Sequence, residues 1–83
     1  MSTTRDDIQR WLDEGKAMGA THVIVATDTF DYEDYPVFVK PGQNAQELAD
    51  KINGESMQKV MECYSLTLDT EAQLKEGRAH HYE

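Results

Sequence analysis

The residues of this chain that could do covalent chemistry are few and far apart. The one cysteine, Cys63, stands between Glu62 and Tyr64. A cysteine attacks as its thiolate, which needs a nearby base or positive field. Glu62 supplies the opposite, so Cys63 reads as a small buried residue. His22 precedes an apolar run, and His80 and His81 are adjacent near the end of the sequence. Zinc takes three or four ligands at usable spacing, and neighbouring histidines rarely reach the same ion. No Ser-His-Asp order, His-Glu-x-x-His or Cys-x-x-Cys occurs. Neither catalytic nor metal-ligating residues are expected, and no cofactor.

Binding chemistry is better represented. The segment Phe30-Asp31-Tyr32-Glu33-Asp34-Tyr35-Pro36 holds three acids and three aromatics in seven residues. Clustered carboxylates suit hard cations, but Asp28, Asp31, Glu33 and Asp34 lack the central Gly and closing Glu of a calcium loop. Two readings remain open. The rings pack back on the domain, or Phe30, Tyr32 and Tyr35 form a recognition surface, since such side chains anchor interfaces and stack on bases. Further on, Lys40-Pro41-Gly42-Gln43-Asn44 leads into a helix start, where free backbone N–H groups attract anions. The Gly-Lys-Ser/Thr ending of a P-loop is missing. A phosphorylated ligand would place its phosphate at Lys40 and the Gly42–Asn44 backbone, with Lys59 or Arg78 as a second positive group.

The elements that would position these residues follow from periodicity and punctuation. Thr4 with Asp7 makes a capping box, and Ile8, Trp11, Leu12 and Met18 give a helical stripe as far as Gly19. Thr21–Thr29 is β-branched with an unbroken apolar centre, Val23–Ala26, which implies burial on both faces or a subunit contact. Phe30–Pro36 reads as a connection and Val37–Lys40 as a second strand, with Pro36 suited to a strand start or an edge because it has no N–H to donate. Asn44 caps a helix whose stripe is Ala45, Leu48, Ala49 and Ile52, ending at Gly54. Met57–Leu68 fits a helix or a strand. Cys-Tyr-Ser-Leu-Thr-Leu tips it to a strand with Val60, Glu62, Tyr64, Leu66 and Leu68 on one face. Asp69 or Thr70 caps a last helix whose apolar residues are Ala72, Leu74 and Ala79. The chain is thus expected to be a single α+β domain over residues 1–83, in the order α-β-β-α-β-α. Its small three-stranded, mostly antiparallel sheet would carry its helices on one face.

Composition limits the partners. The 83 residues carry 16 acids against 8 Lys and Arg, a net charge of −8. Direct nucleic-acid binding and anionic membranes normally need a basic face. No 18-residue apolar run and no leader-like start occur, and a lone cysteine makes no internal disulfide, so the protein is expected in the cytoplasm. A domain this small buries only about 60% of the surface of its unfolded chain, which makes a homo-oligomer the expectation. Trp11 reads as core, or as a subunit contact.

The string Asp28-Thr29-Phe30-Asp31-Tyr32-Glu33-Asp34-Tyr35-Pro36-Val37, together with Gly19–Val25, Met57–Glu62 and Glu71–Leu74, resembles a group of short proteins of bacteria and tailed phages. The resemblance spans most of the chain, transfers no catalytic residue, and implies a phage setting in the host cytoplasm. Small phage proteins often trap ligands or inhibit host immunity. The expectation is therefore a non-enzymatic, oligomeric anti-defence sponge that sequesters a cyclic nucleotide or another small phosphorylated signal. Two alternatives stand beside it: an acidic inhibitor of a basic host protein, or a structural assembly module.

Overall fold

The computed structural model describes residues 3–76 and 78–82. The elements run α1 (Arg5–Ala17), β1 (His22–Asp28), β2 (Glu33–Val39), α2 (Ala45–Gly54), β3 (Gln58–Ser65) and α3 (Thr70–Leu74). This is the expected α-β-β-α-β-α order. The sheet is ordered β2-β1-β3, and both pairings are antiparallel.

Local chemistry sets the helix ends. The Thr4 hydroxyl accepts from the Asp7 N–H while the Asp7 carboxylate accepts from the Thr4 N–H, closing the capping box. Asn44 accepts from the Glu47 N–H at the start of α2, and Asp69 accepts from the Glu71 and Ala72 N–H groups at the start of α3. After α1 the chain turns at Gly19, whose φ of 78° is open to glycine without a Cβ clash.

The apolar run in β1 is buried on both faces. Val23 and Val25 pack with Ile8 and Leu12 of α1 and with Tyr64. Ile24 and Ala26 pack with Ala45, Ala49 and Ile52 of α2 and with Val60 and Cys63. The helices therefore cover opposite faces, not one face as the element order had suggested. Met18, counted in the α1 stripe, lies beyond the helix and is exposed.

Three boundaries also differ from expectation. β2 begins at Glu33, four residues before the apolar Val37. The Asp28 carboxylate accepts from the Phe30 N–H (2.8 Å) and its carbonyl accepts from the Tyr32 N–H (2.6 Å). That tight turn lets Glu33, Asp34 and Tyr35 pair with Asp28, Thr27 and Ala26. Pro36 thus lies mid-strand, opposite Val25. In β3 the register shifts opposite Val25 and Ala26, so strict alternation fails. Val60 and Cys63 face α2, whereas Met61 and Tyr64 face α1. Leu68, expected on the strand, lies past its end and is exposed. The last helix stops at Leu74; Ala79 is fully buried in a non-helical segment instead.

That segment guards one edge of the sheet. Cys63 turns its N–H and C=O away from β1, to the Ala79 carbonyl (2.8 Å) and from the His81 N–H (2.9 Å). Ser65, two residues on, faces the same way, and the Gln73 amide serves it. Ser65 N–H donates to Gln73 Oε1 (2.7 Å), and Gln73 Nε2 donates to the Ser65 carbonyl (2.8 Å). Val60 N–H donates to Asn53 Oδ1 (2.8 Å). Two side-chain amides and the backbone of residues 79–81 thereby take the outward N–H and C=O groups of Cys63 and Ser65 and the Val60 N–H.

The other edge is guarded by chemistry. With Cys63 facing out, Tyr64 and Glu62 face β1, so their partners Val23 and Val25 face β3. Ile24 and Ala26 then face β2, and their partners Val37 and Tyr35 face back. Pro36 is left on the free edge, without an N–H to offer an incoming strand.

Candidate functional site

The residues expected to bind a ligand fall at two ends of the molecule. Phe30 and Tyr32 sit at the β1–β2 turn, beside Asp28 at the end of β1. Lys59 is at the same end, paired across from Thr27. Lys40, Gly42, Gln43 and Asn44 follow β2 at the other end, next to His22. The seven residues of β1 separate the two groups by about 20 Å at ~3.3 Å per residue. Arg78 belongs to neither group; it is exposed beside Ala79 on the β3 edge. One copy of the chain does not gather these residues into one pocket.

At the hairpin end Phe30 is 71% and Tyr32 70% exposed. Met57, the first residue of the Met57–Leu68 segment, joins them. The Thr29 N–H donates to the Met57 carbonyl (2.9 Å), and the Met57 side chain is 51% exposed. Tyr32 (φ 57°) and Met57 (φ 65°) are the non-glycine residues at positive φ among the described residues. Each costs roughly 1–2 kcal/mol in that conformation. Neither recovers that cost by burying its side chain in the core. No sequence signal marks Met57, because its position depends on where β3 meets the β1 turn.

Tyr35 departs from the other two rings. It packs against the α2-side cluster, and its hydroxyl donates to Gln58 Oε1 (2.8 Å). Gln58 in turn donates to the Glu55 carboxylate (3.1 Å). Burial first, then the charges of Asp28 and Glu55, push the Tyr35 phenol above its ordinary range. Tyr35 is thus a packing residue, and the candidate surface contracts to Phe30, Tyr32 and Met57.

The carboxylates around this end divide in the same way. Asp28 is occupied by the Phe30 N–H, and Asp34 accepts from the Thr3 hydroxyl. Among the described residues, Asp31 and Glu33 have no side-chain hydrogen bond or ion pair, and the Tyr32 hydroxyl has no partner. Lys59 is exposed and pairs with neither acid. Among the described residues no three His, Cys, Asp or Glu side chains converge as a metal site would require.

At the opposite end a shallow groove of about 310 Å³ is lined by Gly42, Gln43, Asn44, Glu47, Leu48 and Lys51. Much of its hydrogen bonding is already used. The Lys40 N–H donates to Gln43 Oε1 (2.9 Å), and the Asn44 side chain takes the Glu47 N–H (3.0 Å). Lys40 does not line the groove; Lys51 does, with Glu47 opposing it. The i, i+4 spacing of Glu47 and Lys51 on α2 was legible in the sequence and marks this face. A second hollow of about 240 Å³, lined in part by Leu68, Glu76 and His81, is bridged by the His81–Glu76 contact at 2.7 Å.

Cys63 is fully buried, and its thiol donates to the His81 carbonyl (3.3 Å). Burial pushes that thiol up from 9.0 to about 12. The barrier to a thiolate is thus desolvation, more than the neighbouring Glu62. Two outcomes follow. Ellman's reagent at pH 8 is expected to label Cys63 only as fast as the protein opens; immediate labelling of the native fold would contradict this burial. Because the folded value exceeds the unfolded one, the stability linked to Cys63 is full below about pH 9 and declines as pH rises towards 12. The loss reaches on the order of 4 kcal/mol at the upper end. Urea titrations at successive pH values should show a shallower alkaline decline for Cys63→Ala than for the parent.

No protein-family model matches the chain, and no curated protein or solved structure matches it significantly. Among the described residues no helix is long and apolar enough to cross a membrane. The functional reading therefore rests on the two ends of the sheet.

Proposed function

We propose that the protein acts by holding a partner, without chemistry of its own, and that the Phe30–Tyr32 turn with Met57 is its contact surface. The observation that carries this reading is the exposure of two aromatic rings on a tight turn, 71% and 70%, where neither contributes to the core. Rigid rings at the tip of a short turn lose little conformational freedom on docking, which is what an interface anchor requires. The phage setting implied by the Asp28–Val37 string makes a component of host defence the natural target.

The double variant Phe30→Ala/Tyr32→Ala tests this reading. It should melt within about 3 °C of the parent, since exposed positions contribute little to stability. It should also lose the proteins that the parent retains from a host lysate. Equal retention by parent and variant would end the proposal.

The groove beside Gly42, Gln43, Asn44 and Lys51 favours a second reading, a sponge for a cyclic nucleotide. In that reading the rings of a second copy complete the pocket, because those of the same copy are about 20 Å away along β1. Calorimetry against a panel of cyclic nucleotides, with Lys51→Ala as the comparison, tests it. Heat that is lost in Lys51→Ala supports the sponge. Absence of heat at ligand concentrations well above micromolar removes it.

A further inference from the structure

We propose that the partner of the hairpin end is a basic protein segment that presents arginine side chains. This rests on the reading of Phe30, Tyr32 and Met57 as the contact surface and adds the chemistry of what they meet. Three observations on the same few residues point to it.

The first is unused charge. Asp31 and Glu33 flank Tyr32 in the sequence and are exposed, and their carboxylates have no hydrogen-bond or ion-pair partner among the described residues. Carboxylates left in this state offer paired acceptors to a planar guanidinium. The second is the rings themselves. Aromatic faces open to solvent beside carboxylates suit a guanidinium better than an ammonium, because guanidinium is flat, delocalised and weakly hydrated. The third is the surrounding field. The chain carries a net charge of −8. Asp28, Asp31, Glu33, Asp34 and Glu55 lie at or beside the β1–β2 turn and the start of β3, with Lys59 as the opposing cation. Such a field steers a cationic partner to this end and repels an acidic one. An anionic ligand would have to overcome it, which separates this surface from the groove at Gly42–Lys51.

The test uses isotope-labelled full-length protein and amide NMR, titrated with octa-arginine, octa-lysine and octa-glutamate peptides. Octa-arginine should shift amides around residues 28–34 and 57–59 and bind about three-fold or more tightly than octa-lysine. Octa-glutamate should not bind. Asp31→Asn/Glu33→Gln should weaken both cationic peptides and flatten their salt dependence. Phe30→Ala/Tyr32→Ala should erase the preference for arginine over lysine. Shifts spread equally over the exposed acids of α1 and α2, or equal binding of the arginine and lysine peptides by the parent, would overturn the inference.

The two levels fail separately. If Phe30→Ala/Tyr32→Ala abolishes retention from lysate while Asp31→Asn/Glu33→Gln leaves it intact, the surface stands and its cationic partner falls. If neither pair of substitutions alters retention, the surface falls as well.

Discussion

Replacing Gln73 by leucine is expected to cost about 3 kcal/mol of folding stability. Gln73 is 3% exposed, and its amide completes the outer edge of β3 as a strand would. Its oxygen takes the Ser65 N–H at 2.7 Å, and its nitrogen serves the carbonyls of Ser65 at 2.8 Å and Asp69 at 3.1 Å. Leucine fills similar volume but leaves a buried donor and a buried acceptor of Ser65 without partners. Each such group costs about 1–3 kcal/mol, and the leucine's own burial returns only part of that. In a domain of this size the melting temperature should fall by more than about 10 °C. The Ser65 amide should also exchange with solvent much faster than that of Val23, whose strand neighbours are unchanged. Ser65→Ala serves as the control. It removes the contact between the Ser65 and Thr67 hydroxyls and leaves the backbone pairing with Gln73 in place, so it should cost less. A Gln73→Leu protein as stable as its parent would mean that this edge is not closed by the glutamine.

Gln73 also shows where the sequence stops being informative. Three residues after Thr70, Gln73 reads in the sequence as half of a capping box, because a side chain that imitates a strand cannot be recognised without knowing which edge lies beside it. The same limit applies to Ala79, which looks like the last member of a helical stripe but is buried by pairing next to Cys63. Signals that act within one turn of chain were legible. Thr4, Asn44, Asp69 and Gly19 all fulfil the roles their types suggest. The unbroken Val23–Ala26 run foretold burial on both faces, although it could not say that α1 takes one and α2 the other. The start of β2 was missed because Glu33, Asp34 and Pro36 have poor strand propensity. An edge strand with one polar side tolerates them, and the two Asp28 hydrogen bonds hold the turn that brings them into register. The candidate site was legible by residue type but not by grouping. Phe30 and Tyr32 remain at the surface, Tyr35 turns inward, and Met57 arrives from just before β3, where no local pattern marks it.

Gly15 carries the other large expected effect, and it reverses the usual logic of a helix glycine. Read alone, Gly15 weakens α1, and alanine would be worth about 1 kcal/mol more in helix propensity. In the fold it lets the helix lie close on the sheet. A Cβ at this position would stand 2.8 Å from Leu66 Cδ1, 2.9 Å from Val23 Cγ2 and 3.4 Å from Phe38 Cδ1. The end of the half-buried Leu66 side chain has room to move. Val23 does not, being fully buried and stiff about χ1. Gly15→Ala should therefore come out near neutral to about 2 kcal/mol destabilised, as overpacking outweighs the propensity gain. Gly15→Val adds two further methyl groups against the same wall and has a lower helix propensity than alanine. It should cost about 3 kcal/mol or more and lift α1 from the sheet. Trp11, which packs on the same face of the sheet, reports the separation as a red shift in its emission. Urea unfolding of the two variants beside the parent gives the ranking. Valine tolerated as well as alanine would show that α1 does not approach the sheet through Gly15. Because Phe30, Tyr32 and Met57 lie at the β1–β2 turn and the start of β3, a Gly15→Ala protein that still folds should keep its binding surface. Stability and recognition would then be separable by substitution within this one small domain.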